Sequence, residues 1–287
     1  MGEREYSFLK LGTKHLESKT FTIDTNSMFT VPFYDLLLEG KVALVTGSTQ
    51  GIGLAIAKEF AEHNGATVIV CSRSEDRAKK VAARINGITD FVGIDITNDS
   101  SVDRMMKKVL ANQKRIDILI NNAGFPFERN IWYRPFHEIE IKDLQAILEV
   151  DTIGSVRLTK AVVNSMLTKQ YGGVIVNISS TPAISGHYEG APYTLAKAAV
   201  IALTKHIARE YGTDKIRAYT LLLGNIATEA TYSSMTEEER LRGAQEASMK
   251  RWGKPEEVAK VAACVASDNF SFVTGNTIVI DGGAVIT

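Results

Sequence analysis

The chain has 287 residues, 45% of them hydrophobic and 23% charged, with 33 lysines and arginines against 33 aspartates and glutamates. This composition suffices for the core of one large or two small α/β domains. Zero net charge leaves no electrostatic footprint for nucleic acid or an anionic membrane surface, and no apolar run approaches the ~18 residues of a membrane span.

Residues 1–38 mix polar and aromatic residues without a sustained period. They read as an N-terminal extension, surface-lying or partly disordered. The opening MGEREYSFLK lacks the apolar core of a secretory signal, which fits a cytoplasmic protein. Residues 39–287 read as one regular domain. Short β-branched runs recur along it: VALVT, TVIVC, FVGID, IDILIN, GVIVNIS, IRAYTLLL and TIVID. Runs this uniformly apolar suggest strands buried on both faces. Between them lie helical patterns such as GLAIAKEFAEHNG, SSVDRMMKKVLANQ and AAVIALTKHIAREYG, with Gly65 and Gly212 where C-terminal caps belong. Alternating strand and helix predicts a parallel sheet, helices on both faces, wound right-handed. Cys71 and Cys264 lie far apart in apolar surroundings and read as buried thiols, not as a disulfide or metal site.

The first strand runs into TGSTQGIGLAIA, where Gly47, Gly51 and Gly53 flank Thr49, Gln50 and Ile52. Glycines between a buried strand and a helix let the chain turn sharply and let a pyrophosphate approach the helix N-terminus. The spacing is G-x3-G-x-G, unlike the commoner dinucleotide fingerprint. At the end of the second strand, Ser72 stands where an NAD-preferring protein places a carboxylate, and Arg73 follows. An arginine can grip a ribose 2′-phosphate that a carboxylate would repel, which favours NADP(H). The other reading of Arg73, a solvated residue at a helix start, stays open. Farther on, APYTLAKAAV presents Tyr193 and Lys197 one helical turn apart. An isolated pair of this kind more often packs and snorkels than reacts.

Taken in order, TGSTQGIG, NNAG (Asn121–Gly124), IVNISS and YTLAK resemble the short-chain dehydrogenase/reductase family. The closing RWGKPEEVAKVAACVASDNFSFVTGNTIVIDGG is similar to its 3-oxoacyl-thioester reductase-like branch. The resemblance covers about Leu38 to the C-terminus. It implies a single Rossmann-type α/β domain with a doubly wound seven-stranded parallel sheet, assembled as a homotetramer. It also implies NADP(H)-dependent hydride transfer between nicotinamide and a small-molecule carbonyl or secondary alcohol, a 3-oxoacyl thioester being one candidate. A dehydrogenase of sugars or other alcohols, and a non-catalytic NADP-binding protein, are the alternatives.

The resemblance also assigns roles. Ser180 positions the carbonyl oxygen, with Ser179 as the neighbouring alternative. Tyr193 is the acid–base, and Lys197 holds the nicotinamide ribose. Asp95 and Ile96 contact the adenine, Asn122, Ala123 and Gly124 line the cofactor, and Gly224, Ile226 and Thr228 meet the nicotinamide. The chemistry needs such groups. Hydride delivery builds negative charge on oxygen, a phenol ionises near pH 10, and a cation beside it favours the phenolate. Lys197 supplies that cation.

Two positions depart from the family. Asp151 stands where many members have an asparagine whose main chain holds a water, so its carboxylate either substitutes or pairs with Lys197. Leu223–Gly224 replaces a common Pro-Gly. Substrate contacts are expected from FPFERNIWYRPFHEIE, where Phe125, Phe127, Trp132, Tyr133 and Phe136 accompany Arg129 and Arg134. Those residues suit an acyl chain on an anionic carrier, an aromatic acid, or a subunit interface. The segment EATYSSMTEEERLRGAQEASMKRWG either closes over substrate or is a solvated helix, and His187 is a polar loop residue within possible reach.

Overall fold

The computed structural model describes residues 36–233 and 235–286. All seven apolar runs are strands: β1 Val42–Val45, β2 Thr67–Ser72, β3 Thr89–Gly93, β4 Ile118–Asn121, β5 Gly173–Ser180, β6 Ile216–Leu223 and β7 Thr277–Ile280. They form one sheet in the order β3-β2-β1-β4-β5-β6-β7. Every pairing is parallel.

The alternation of side chains explains the uniform runs. In β1, Ala43 and Val45 join a core layer with Val68, Val70, Phe60 and Val258. Their neighbours Val42 and Leu44 join the opposite layer with Ile69, Met105, Leu158 and Val162. Both pleated faces are covered, so polar positions would be buried on either side. The edge strand β7 differs from the expectation, being only half-buried at all four positions. It is the last strand of the sheet among the described residues.

Helices fill the crossovers: α1 Gly51–Lys58, α2 Glu75–Ala82, α3 Asp99–Gln113, α4 Arg129–Trp132, α5 Ile141–Leu148, α6 Ser155–Lys169, α7 Pro182–Ser185, α8 Ala191–Glu210, α9 Glu229–Tyr232, α10 Glu237–Glu246 and α11 Pro255–Ala266. A π-helical segment, Glu149–Gly154, joins α5 to α6. Gly65 takes the left-handed conformation after the first helix, with φ +73°. Gly212 does not: it opens a short 3-10 turn, and Lys215 takes the left-handed position at φ 62°.

Residues 1–35 lie outside the described residues, as does most of the expected N-terminal extension. Leu38 is fully buried, and its N–H donates to the Asn64 carbonyl at 3.0 Å. Cys71 is buried, but Cys264 is exposed on α11, which corrects its reading as a buried thiol. An apolar stretch of sequence does not say which side of a helix a residue occupies. Among the described residues no helix is long and apolar enough to cross a membrane, and none of the His, Cys, Asp and Glu side chains cluster as a metal site.

The strand order reverses between β1 and β4, whose C-terminal ends lie side by side. Such a switch point opens a crevice at the carboxyl ends of the strands, the place where ligands bind in doubly wound sheets.

Candidate active site

Two turns meet at that crevice, the glycine-rich turn after β1 and the Asn121–Gly124 turn after β4. Thr46 Oγ1 accepts the N–H groups of Asn122 and Ala123, both at 2.9 Å, and donates to the Ile120 carbonyl at 3.0 Å. Asn122 Nδ2 returns a bond to the Thr46 carbonyl at 2.8 Å. The Asn122 side chain therefore ties the two turns together. Gly47 and Gly51 sit at φ +62° and +53°, where a side chain would be strained. A Cβ on Gly53 would strike Asn122 Nδ2 and lie 2.5 Å from the Gly47 carbonyl oxygen. Gln50 makes no side-chain capping bond to α1, and the first turn has no acidic residue. Free N–H groups and the positive helix end thus face the crevice mouth.

At the end of β2, the Ser72 hydroxyl donates to the Ser74 carbonyl at 2.6 Å. Arg73 is exposed and makes no hydrogen bond or ion pair among the described residues. Its field joins two hydrogen bonds from Thr97, the main cause, in holding the Asp95 carboxyl below its ordinary range. Asp95 is exposed and Ile96 is buried. Arg77 reaches across to Gln50 Oε1 at 2.6 Å, bringing a second guanidinium to the glycine turn. An uncapped helix end, a bare glycine turn and an unpartnered guanidinium fit a phosphorylated dinucleotide.

The third component lies where β5 meets α8. Ser180 ends β5, half-buried, and its Oγ donates to the Leu223 carbonyl at 3.2 Å. Ser179 is buried, and its hydroxyl donates to the Lys197 carbonyl at 2.9 Å, so it serves the helix junction. Tyr193 and Lys197 share one face of α8, with Lys197 Nζ 5.5 Å from the centre of the Tyr193 ring. Lys197 is only 6% exposed, and its ammonium donates to the Ile178 carbonyl at 3.3 Å. Asp151 Oδ2 stands 3.1 Å from the same nitrogen. Burial alone would push the Lys197 pKa down, but the Asp151 carboxylate, helped by Tyr193, more than offsets it, and the value lies above the ordinary one. Asp151 projects from the π-helical segment, a wider, locally underwound turn of the kind frequent at functional sites.

Gly224 lies against β7, where a Cβ would come 2.6 Å from the Asp281 Cβ, so packing accounts for this glycine. Ile226 is buried and bridges to Gly253. Thr228 begins α9, its methyl 3.6 Å from where a Gly51 side chain would project. It closes the mouth of the glycine turn.

Two loops flank Tyr193. Trp132, at the end of α4, packs its indole 5.6 Å from the Tyr193 ring and 5.7 Å from both Phe127 and His187. Its Nε1 donates to Glu189 Oε2 at 3.1 Å. Gly190, at φ +68°, lets the indole lie on the backbone, since a Cβ there would come 2.6 Å from the ring. Arg129 binds Glu239 of α10 at 2.8 Å, and Arg134 binds Asp143 at 2.8 Å and Glu140 at 3.3 Å. Both cations considered for an anionic carrier thus already have carboxylate partners. His187 is exposed on the loop before α8.

Sequence reasoning passed over Thr46, Arg77, Glu189 and Glu239. A threonine directly before the glycine turn was the one local signal. The other contacts join residues far apart in the chain.

The family model described as enoyl-(acyl carrier protein) reductase matches residues 47–285. The chain is 37% identical to the 3-oxoacyl-(acyl-carrier-protein) reductase FabG of Thermotoga maritima over 252 residues, covering 87% of this chain and 99% of that protein. It is 31% identical to glucose 1-dehydrogenase 2 of Bacillus subtilis, covering 87% and 96%. Among solved structures it is similar to a gluconate 5-dehydrogenase from Burkholderia cenocepacia J2315 in complex with NADP and tartrate, with TM-score 0.81, 30% identity, and coverage of 87% and 96%.

Proposed function

This chain belongs to the short-chain dehydrogenase/reductase family, oxidoreductases acting on CH–OH and C=O groups, and we propose that it moves a hydride between NADP(H) and a ketone or secondary alcohol. The observation that carries this reading is the buried ammonium of Lys197, held between Asp151 and the Ile178 carbonyl one helical turn from Tyr193. A lysine is rarely buried without a task or a partner.

NADP(H), when bound, supplies or accepts the hydride. The glycine turn of Gly47, Gly51 and Gly53, with Thr49, Gln50 and Ile52, would hold its pyrophosphate, and Arg73 beside Ser72 would grip the 2′-phosphate. Asp95 and Ile96 would meet the adenine, and Ala123 and Gly124 would line the wall that Asn122 ties in place. Gly224, Ile226 and Thr228 would meet the nicotinamide. In reduction, the Tyr193 hydroxyl gives its proton to the substrate oxygen as that oxygen becomes an alcohol. In oxidation, Tyr193 takes the proton back. The Ser180 hydroxyl turns from the Leu223 carbonyl to donate to the same oxygen and fix its place. Lys197 steadies the ribose hydroxyls and keeps a positive charge beside the phenol, while Asp151 keeps that charge in place. Such positioned proton transfer contributes typically ~100- to 10,000-fold.

The FabG relative supports a 3-oxoacyl thioester as substrate, and the two sugar-acting relatives support a hydroxylated one. Exposed Ile153, Val156 and Leu195, near and on α6 and α8, support contact with further copies of the chain, for which the family resemblance favours a homotetramer. The test is NADPH oxidation with acetoacetyl thioesters, diketones and sugar lactones side by side. Turnover of at least one, with NADPH used in preference to NADH, supports the reading. An absence of turnover with every carbonyl offered, despite tight NADP binding, contradicts it.

A further inference from the structure

Glu189 is a half-buried carboxylate four residues before Tyr193, on the loop that enters α8. One of its oxygens, Oε2, accepts the Trp132 indole N–H at 3.1 Å. Its own N–H donates to His187 Nδ1 at 3.1 Å. No arginine, lysine or histidine forms an ion pair with it among the described residues. Its second oxygen, Oε1, has no hydrogen bond within the described residues and sits beside an indole that touches the Tyr193 ring.

Among the described residues, none of the neighbouring cations pairs with Glu189. Arg129 is bound to Glu239, Arg134 to Asp143 and Glu140, and Lys197 to Asp151. Arg240, on α10, has no ion pair among the described residues and donates to the carbonyls of Tyr232 and Ser233 at 3.0 and 3.4 Å. Glu189 therefore places a carboxylate without an ion-pair partner, a hydrogen-bond acceptor, on the aromatic plate beside Tyr193. An anion placed ~5 Å from Glu189 would be disfavoured on the order of 100-fold at an effective dielectric of 20. A hydroxyl in the same place would gain a charge-assisted bond, and the C–H face of a polyol would gain contact with the indole.

Building on the oxidoreductase reading, we infer that Glu189 is a specificity-determining residue and that the substrate is uncharged and carries hydroxyl groups beyond the one at the reacting carbon. One of those hydroxyls donates to Glu189 Oε1 while its carbon skeleton rests on Trp132. Sugar acids and phosphate-bearing thioesters are disfavoured by the same charge.

Two substrates differing in charge test this: D-glucose and D-gluconate, with acetoacetyl coenzyme A as the thioester arm. For kcat/KM, glucose and gluconate are offered with NADP+ and acetoacetyl coenzyme A with NADPH; independently of turnover, calorimetric Kd for glucose and gluconate is read on the full chain loaded with NADPH, which cannot oxidise them. The variant is Glu189→Gln, which keeps an oxygen for the Trp132 N–H and removes the charge. The parent should bind glucose at least about tenfold more tightly than gluconate, and Glu189→Gln should shrink that ratio at least about fivefold by gaining gluconate affinity. A purely structural role would weaken both ligands together and leave the ratio alone. Equal binding by the parent, an unchanged ratio in the variant, no binding of either sugar, or acetoacetyl coenzyme A as the best substrate would each overturn the inference. Because the Kd readout needs no turnover, loss of neutral preference is distinguishable from failure of the oxidoreductase reading.

Discussion

Asp151 Oδ2 and Lys197 Nζ lie 3.1 Å apart, and their residues are 2% and 6% exposed. The other oxygen of Asp151 accepts the Phe125 N–H at 2.5 Å. One carboxylate therefore fixes both the lysine beside Tyr193 and the start of the loop that carries Trp132. An asparagine could make the second contact but could not balance the lysine charge.

Replacing Asp151 with Asn should separate those roles. With the carboxylate gone, burial acts unopposed on Lys197 and pushes its pKa down from a value that now lies above the ordinary one. The ammonium is then lost at lower pH, so the alkaline limb of the pH–rate profile should move acidward by one unit or more. Stability should follow the same linkage. In the parent, the contribution from Lys197 is complete below its unfolded pKa of ~10.4 and is lost as pH rises through the higher folded value. Asp151→Ala, which strands the lysine, should cost about 3–5 kcal/mol in urea unfolding.

Glu239 predicts behaviour at the other end of the pH scale. The hydrogen bond from Arg129, followed by the Thr236 N–H, holds its carboxyl at about 2. A depressed carboxylate stabilises the fold above its unfolded pKa near 4.3, and that contribution fades as pH falls toward 2. Calorimetry should find the parent melting above Glu239→Gln at pH 6, with the two converging near pH 2. Because Arg129 is half-exposed, high salt should also narrow the gap. A difference that persists at pH 2 would mean that the Arg129 link is not its source.

Arg73 has no hydrogen bond or ion pair among the described residues, so its removal should be felt chiefly by the cofactor. Arg73→Ala should weaken NADP+ binding about 10- to 100-fold, the worth of a charged hydrogen bond, and change NAD+ binding less than about twofold. Fluorescence titration reads both. Equal losses for the two dinucleotides would remove the 2′-phosphate from the account.

The fold was legible because its signals are local. Val42–Val45 and Thr67–Ser72 are uniformly apolar because both faces of the sheet are covered, and the glycine turn sits between a strand and a helix as its chemistry requires. Gly212 and Cys264 were misread because neither a cap conformation nor a helix face follows from residue type alone. The Tyr193–Lys197 pair could be seen at helical spacing, and Asp151 was visible as a departure whose consequence depended on geometry. The Trp132–Glu189 bond spans 57 positions and the Arg129–Glu239 pair 110, so a single sequence holds no local trace of either.

The central claim is that the Tyr193 hydroxyl carries the proton, and Tyr193→Phe tests it most directly. That variant removes one oxygen and leaves the ring on Trp132 and beside Lys197. Single-turnover kcat for carbonyl reduction should fall ~100- to 10,000-fold while NADPH binding stays within about threefold of the parent. A variant that binds NADPH and reduces substrate as fast as the parent would contradict the account.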